Sequence, residues 1–140
     1  MADGRRLSAE DRQDIEDLLS AYVLTLDVDD VDGALALFAE GAEFRTYGRV
    51  FTGEKLRRMF TTAPKGQHLT GRSLVTPSAD GATVRSQLVF LPADGAERRL
   101  TIYDDEVALV DGRWLFLSRT VRFMDHDGLL QERPPESQRT

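Results

Sequence analysis

The 140-residue chain contains two histidines and no cysteine, so few of its side chains can exchange protons near neutral pH. His68 stands in "KGQHLTGRS", where a glycine-marked loop passes into a strand. Strand alternation puts His68, Thr70, Arg72 and Leu74 on one face. A histidine there is either an acid–base group or a satisfied structural residue, and the residues alone leave both readings open. Asp27 is the second candidate. It follows Tyr22, Val23 and Leu26 at the end of an apolar helical pattern, which brings a carboxylate to the edge of the core. It reads as a general base, or as a solvated turn residue beside Asp29, Asp30 and Asp32. Tyr22, Tyr47 and Tyr103 are the chain's three phenols. A phenol donates a hydrogen bond without a buried charge, so each is a candidate to polarise a carbonyl or hold an oxyanion. Each is equally a candidate core aromatic.

Other constellations are weaker. A calcium loop starting at Asp27 needs an acid or amide at its fifth position, Gly at its sixth and Glu at its twelfth. The chain has Val31, Asp32 and Phe38 there. Asp125, His126 and Asp127 in "MDHDG" are adjacent in the chain, and adjacent side chains rarely converge on one ion, so no metal is predicted. No phosphate-binding glycine loop or Gly-x-Ser-x-Gly elbow is present. Without cysteine there is no disulfide, thiol nucleophile or thiolate metal site. Arg45, Arg72 and Arg119 either line a site or pair with acids. Trp114 reads as core.

The elements that must position these residues follow from the pattern. Ser8 with Asp11 forms an N-cap signal, and Ile15, Leu18, Leu19, Tyr22, Val23 and Leu26 recur at helical spacing. Asp30 caps a shorter helix with Ala34, Leu35, Leu37 and Phe38 on its apolar face, ended by Gly41. "AEFRTY" reads as a strand closed by Tyr47, and "GEKLRRMFTT" as a short helix. Strand-like runs at about 67–76, 82–91, 97–110 and 113–123 are separated by "SADG", "PADG" and "VDG" turns. Helices followed by hairpin-linked strands mean an α+β fold, with N-terminal helices packed on a curved, mixed or antiparallel sheet. "QLVFL" and "WLFL" are apolar on both alternating faces, so the sheet face away from the helices is expected to meet a second subunit. A homodimer is predicted, with a trimer as the alternative. One domain is predicted over residues 8–123, with flexible tails at 1–7 and 131–140. Net charge is −6 and pI about 4.9, which argues against a nucleic-acid partner. No apolar run approaches the roughly 20 residues needed to cross a membrane, and a cytoplasmic location without membrane association is the expectation.

Three segments carry a resemblance: "IEDLLSAYVLTLDVDDVDGALALFAEGAEF", "GQHLTGRSLV" and "VDGRWLFLSRTV". Together they resemble the nuclear transport factor 2-like superfamily, in its SnoaL-like and scytalone dehydratase-like branch, from about Glu10 to Arg122. The resemblance implies a cone-shaped α+β barrel whose open end holds a ligand. It also implies that Asp27 and His68 face one another in that cavity as a catalytic dyad, the carboxylate raising the imidazole pKa. Tyr22 and Tyr47 join the dyad as catalytic candidates, and Tyr103, Leu88, Phe90 and Arg119 as substrate contacts. The implied activity is a cofactor-independent lyase, isomerase or cyclase acting on a hydrophobic, oxygenated substrate of polyketide, steroid or terpenoid type. Dehydration or cyclisation is preferred, and non-catalytic binding or assembly is the alternative. The dehydratase-like pattern has a second pocket histidine and a pocket asparagine. This chain has only His126 in its tail and no asparagine, which puts scytalone dehydration itself in doubt.

Overall fold

The computed structural model describes residues 6–130. Helix α1 (Ala9–Asp27) begins at a reciprocal cap: Asp11 N–H donates to Ser8 Oγ at 2.9 Å, and Ser8 N–H donates to the Asp11 carboxylate at 3.2 Å. This satisfies amides that the first helical turn leaves without partners. Its apolar residues Ile15, Leu18, Leu19, Tyr22 and Val23 are all buried, which fixes the rotation of the helix about its axis. Helix α2 (Val31–Leu35) and helix α3 (Gly53–Thr62) complete the helical layer. The strands are β1 (Phe38–Thr46), β2 (Arg49–Phe51), β3 (Gly66–Pro77), β4 (Ala82–Pro92), β5 (Arg99–Val110), β6 (Arg113–Asp125) and β7 (Gly128–Leu129). They form one sheet in the order β2-β1-β6-β5-β4-β3, with β7 on the end of β6. The β1–β6 pair is parallel and the others are antiparallel. Register shifts interrupt the β1–β6, β3–β4 and β5–β6 ladders. Such irregularities bend strands, and the curved sheet wraps the helices as the α+β cone that the sequence predicts.

Three expectations are corrected. The second helix was predicted to run to Gly41, but it ends at Leu35. Leu37 C=O accepts from Phe116 N–H at 2.9 Å and Phe38 pairs with Phe116, so pairing with β6 takes over from helical continuation. Gly41, with φ 76°, lies inside the β1 irregularity instead of capping a helix. The inward face of β3 also differs. A shift between Thr70 and Ser73 places Ser73 opposite Ser86 and Val75 opposite Val84, so Leu74 points outward and is 68% exposed. Finally, β4 alternates. Ala82, Val84, Ser86, Leu88 and Phe90 are buried, while Thr83, Arg85, Gln87 and Leu91 are exposed. The outward side of "QLVFL" is not covered by another layer among the described residues.

Of the tails predicted at 1–7 and 131–140, all but Arg6 and Leu7 lie outside the described residues, and Leu7 packs against the core. Strand structure continues through β7 to Leu129, beyond the boundary placed at residue 123. Among the described residues no helix is long and apolar enough to cross a membrane.

Candidate functional site

Ile15, Leu19, Val23 and Asp27 follow one another at four-residue spacing on α1 and so share a face. The first three are buried in the core, and Asp27 ends the same stripe where the helix meets β3. On the other side, Gly66 permits close approach of β3 to β4. A Cβ at this position would lie 2.1 Å from the Leu91 carbonyl oxygen. Two residues later His68 faces inward, opposite Phe90. The two side chains meet: His68 Nδ1 lies 2.7 Å from Asp27 Oδ1, and the His68 backbone N–H donates to both carboxylate oxygens at 3.1 Å. A carboxylate partner assigns the proton to Nδ1 and leaves Nε2 as the free basic nitrogen. Only 16% of the His68 side chain and 15% of the Asp27 side chain is exposed.

The expected upward shift of the imidazole is reversed. Burial is the largest influence and lowers the His68 pKa below 6.5; Asp27 pulls it upward, and the charges of Arg119 and Arg99 add to the lowering. The ring is therefore held neutral at pH 7, the form a general base requires.

His68 lines a cavity of about 130 Å³ between α1, α3 and the inner sheet face. An apolar cavity of about 150 Å³ holds a benzene, so the space suffices for a single ring. Tyr22, Tyr103, Leu88 and Phe90 line it, as does Tyr47. Tyr22 is the hub of an aromatic cluster, its ring centroid 5.9–6.5 Å from those of Phe38, Phe44, Phe60, His68, Tyr103 and Phe116. Burial raises the pKa of Tyr22 well above the usual phenol value and raises that of Tyr103 too, so both stay protonated donors. Tyr47 does not end β1; it occupies the following turn with φ 54° and stacks on Phe123 at 4.6 Å.

Arg119 is not where substrate contact requires it. It is buried and is not among the cavity-lining residues. Its guanidinium lies 4.2 Å from the Tyr22 ring centroid and 4.4 Å from those of Tyr103 and Phe116, and it donates to the Asp105 carboxylate at 2.8 and 3.2 Å. Burial raises the Asp105 pKa against the opposing pull of Arg119. This arginine supports the tyrosines from behind. Sequence reasoning missed Asp105, although alternation from Tyr103 places it inward, and an acid at an inward strand position calls for a partner. It also missed Lys65 and Arg99, which line the cavity. Lys65 lies three residues before His68; Arg99 begins β5, where nothing in the local pattern marks it.

The remaining candidates lie elsewhere. Asp125, His126 and Asp127 bring their ligand atoms within 4.8 Å of one another, closer than chain adjacency led us to expect. They sit on the β6–β7 turn with the His126 and Asp127 side chains 87% and 81% exposed. Arg45 pairs with Glu43, and Trp114 donates to Asp11 at 3.2 Å while packing on the core.

The profile described as SnoaL-like domain matches residues 7–120. No curated protein matches the sequence significantly. A Nostoc punctiforme protein of unknown function with a cystatin-like fold superposes with TM-score 0.77 at 25% identity, covering 87% of this chain and 97% of that one. A putative scytalone dehydratase from Novosphingobium aromaticivorans gives TM-score 0.72 at 22% identity, covering 94% and 96%. The hexachlorocyclohexane dehydrochlorinase LinA-type3 of Novosphingobium barchaimii gives 0.68 at 20%, covering 83% and 90%. The last two likenesses are of fold.

Proposed function

The chain belongs to the SnoaL-like family, in the nuclear transport factor 2-like superfamily, and from that premise we propose that it is a cofactor-independent lyase, isomerase or cyclase built on an Asp27–His68 dyad. The observation carrying this reading is the 2.7 Å contact between Asp27 Oδ1 and Nδ1 of His68, whose ring lines an aromatic cavity. Asp27 holds the imidazole in one tautomer and stabilises the imidazolium that forms when Nε2 removes a proton α to a carbonyl. The Tyr22 and Tyr103 hydroxyls donate to the oxygen on which negative charge develops. Tyr47, at the mouth, is placed to hold a departing or attacking oxygen. His68 then returns its proton to a leaving hydroxyl, which completes a dehydration, or to carbon, which completes an isomerisation or cyclisation. The substrate class is a hydrophobic, oxygenated molecule of polyketide, steroid or terpenoid type. The cavity has room for at least one ring at the reacting end. Two fold neighbours are named for eliminations, which agrees with this reading, although the dyad carries it. The outward leucines support a homodimer as the working form.

Proton abstraction can be tested without the natural substrate. A panel of aryl and cyclic ketones and β-hydroxy ketones is incubated in D2O, and loss of the α-proton NMR signal is followed. The parent protein should accelerate exchange of at least one class. Asp27→Asn and His68→Gln should each slow it roughly 10²–10⁴-fold, with the double variant little worse than either single. Parental rates in both single variants would refute the dyad and leave non-catalytic binding as the better reading.

A further inference from the structure

Arg99 has a position that the dyad chemistry does not use. It opens β5 on the inward face, directly opposite Phe90, which in turn lies opposite His68. His68, Phe90 and Arg99 thus form a row across three adjacent strands, all lining the cavity. Strands are spaced about 4.8 Å apart, so the two ends of the row are separated by about 10 Å at the backbone. The Arg99 guanidinium carbon stands 5.6 Å from the Phe90 ring centroid, and the His68 ring lies 4.6 Å from the same ring on the other side.

The second cation of the cavity is already engaged. Lys65 Nζ is 2.8 Å from an Asp29 carboxylate oxygen and donates to the Phe60 carbonyl at 3.3 Å. Arg99, among the described residues, has no ion pair and no side-chain hydrogen bond; its guanidinium lies over the Phe90 ring. This occurs in a chain where 24 acids outnumber 18 lysines and arginines, so an acidic partner would not be hard to supply. Among the described residues no acid lines the cavity, and Asp27, outside that lining, is held by His68. A guanidinium facing a cavity with its donors unused is set to receive a planar, two-oxygen anion.

We infer that the ligand of this cavity is a carboxylate, its anionic end paired with Arg99 and its apolar body laid across Phe90 so that the reacting carbon reaches His68. The inference deepens the reading of the cavity as a substrate site. One uncommitted cation matches a monoanion; a phosphate dianion would need a second, and Lys65 is taken. The row also sets a length: the carboxylate and the acidic C–H lie on opposite sides of one aromatic ring's width. An unsaturated or oxo carboxylic acid with a single ring or short chain between the two groups meets that requirement.

Binding tests this independently of turnover. Trans-cinnamate and 3-benzoylpropionate are titrated by calorimetry at pH 7.5 alongside their primary amides, which share the shape without the charge. The acids should bind at least about tenfold more tightly than the amides. Arg99→Gln should remove most of that preference by weakening the acids and leaving the amides unchanged, while Arg99→Lys should retain part of it. His68→Gln should keep the preference while losing proton exchange; parental exchange with retained acid selectivity in that variant would sink the dyad alone. An acid-to-amide ratio near one, an unchanged ratio in Arg99→Gln, or no detectable binding of either acid at millimolar concentration overturns the inference. Tighter binding of phenyl phosphate than of both acids overturns the carboxylate assignment.

Discussion

His68 receives opposing influences, and their balance can be measured. Burial lowers its pKa most, Asp27 raises it, and the cationic Arg119 and Arg99 lower it. Removing the Arg99 charge should therefore move the His68 titration upward, whereas Asp27→Asn should move it further down. Imidazole NMR titration checks this directly, and with only two histidines His126→Gln leaves a single ring to follow. The acid limb of catalysis should move with it: the basic Nε2 survives below pH 6.5 in the parent and is lost at higher pH in Arg99→Gln. Stability has the same sign. The unfolded ring takes up a proton as pH falls through 6.5 and the folded ring resists it, so this contribution is present above 6.5 and is lost as pH falls toward the folded value. A downward move of the His68 titration in Arg99→Gln would show that the arginine's charge does not reach the ring. At this scale the sequence was legible for residue type and illegible for environment. His68 and Asp27 could be singled out because titratable groups are scarce and one ends an apolar stripe. The sign of the shift could not, because it depends first on how deeply the ring sits, and then on Asp27, Arg119 and Arg99, residues distant in the chain.

The elements decide which inward charges are supported. β5 and β6 bring Asp105 opposite Arg119 in register, both facing the core beneath Tyr22 and Tyr103. Arg119 Nη1 is buried without a hydrogen-bond partner, and the aromatic faces around it offset part of that cost. Removing one member of a buried pair leaves the other's charge uncompensated. Arg119→Met should destabilise the fold by about 3–5 kcal/mol in urea unfolding. The double variant with Asp105→Leu should recover much of that loss. If Arg119→Met alone were neutral, the pair would not be held as an ion pair in the folded protein. The pattern of elements was readable where periodicity is long: α1, α3 and the four long strands fall close to their predicted spans. It failed where a distant partner decides. β1 begins at Phe38 because β6 is there to pair with it, and a local pattern of Ala34, Leu35, Leu37 and Phe38 cannot report that competition. The bulge after Thr70 likewise follows from pairing with β4, which is why alternation carried past it misplaced Leu74.

For the whole molecule, the remaining question is what covers the outward sheet face. Leu69, Val89 and Leu100 lie side by side in register on β3, β4 and β5, pointing away from the helices. Leu69 is 53% exposed and Leu91 and Leu100 each 39%. An apolar row of two leucines and a valine across three strands is costly to leave in water, and a second copy of the same face buries it symmetrically. Arg85 and Arg122, also on this sheet, both pair with Asp104 within the chain. The expected outcome is a homodimer, with a light-scattering mass near twice the 15.7 kDa of one chain. Val89→Asp should lower the mass to that of a single chain, because it puts a charge at the centre of the row without touching the cavity side of β4. Leu117→Asp, at the β6 irregularity and 40% exposed, probes how far the contact extends. The aryl-carboxylate binding of the Val89→Asp protein should remain within about twofold of the parent, since Val89 is not among the residues that line the cavity. A parent mass of a single chain at micromolar concentration would end the assembly reading. It would leave the exposed leucines as surface that a single chain tolerates, and the dyad untouched.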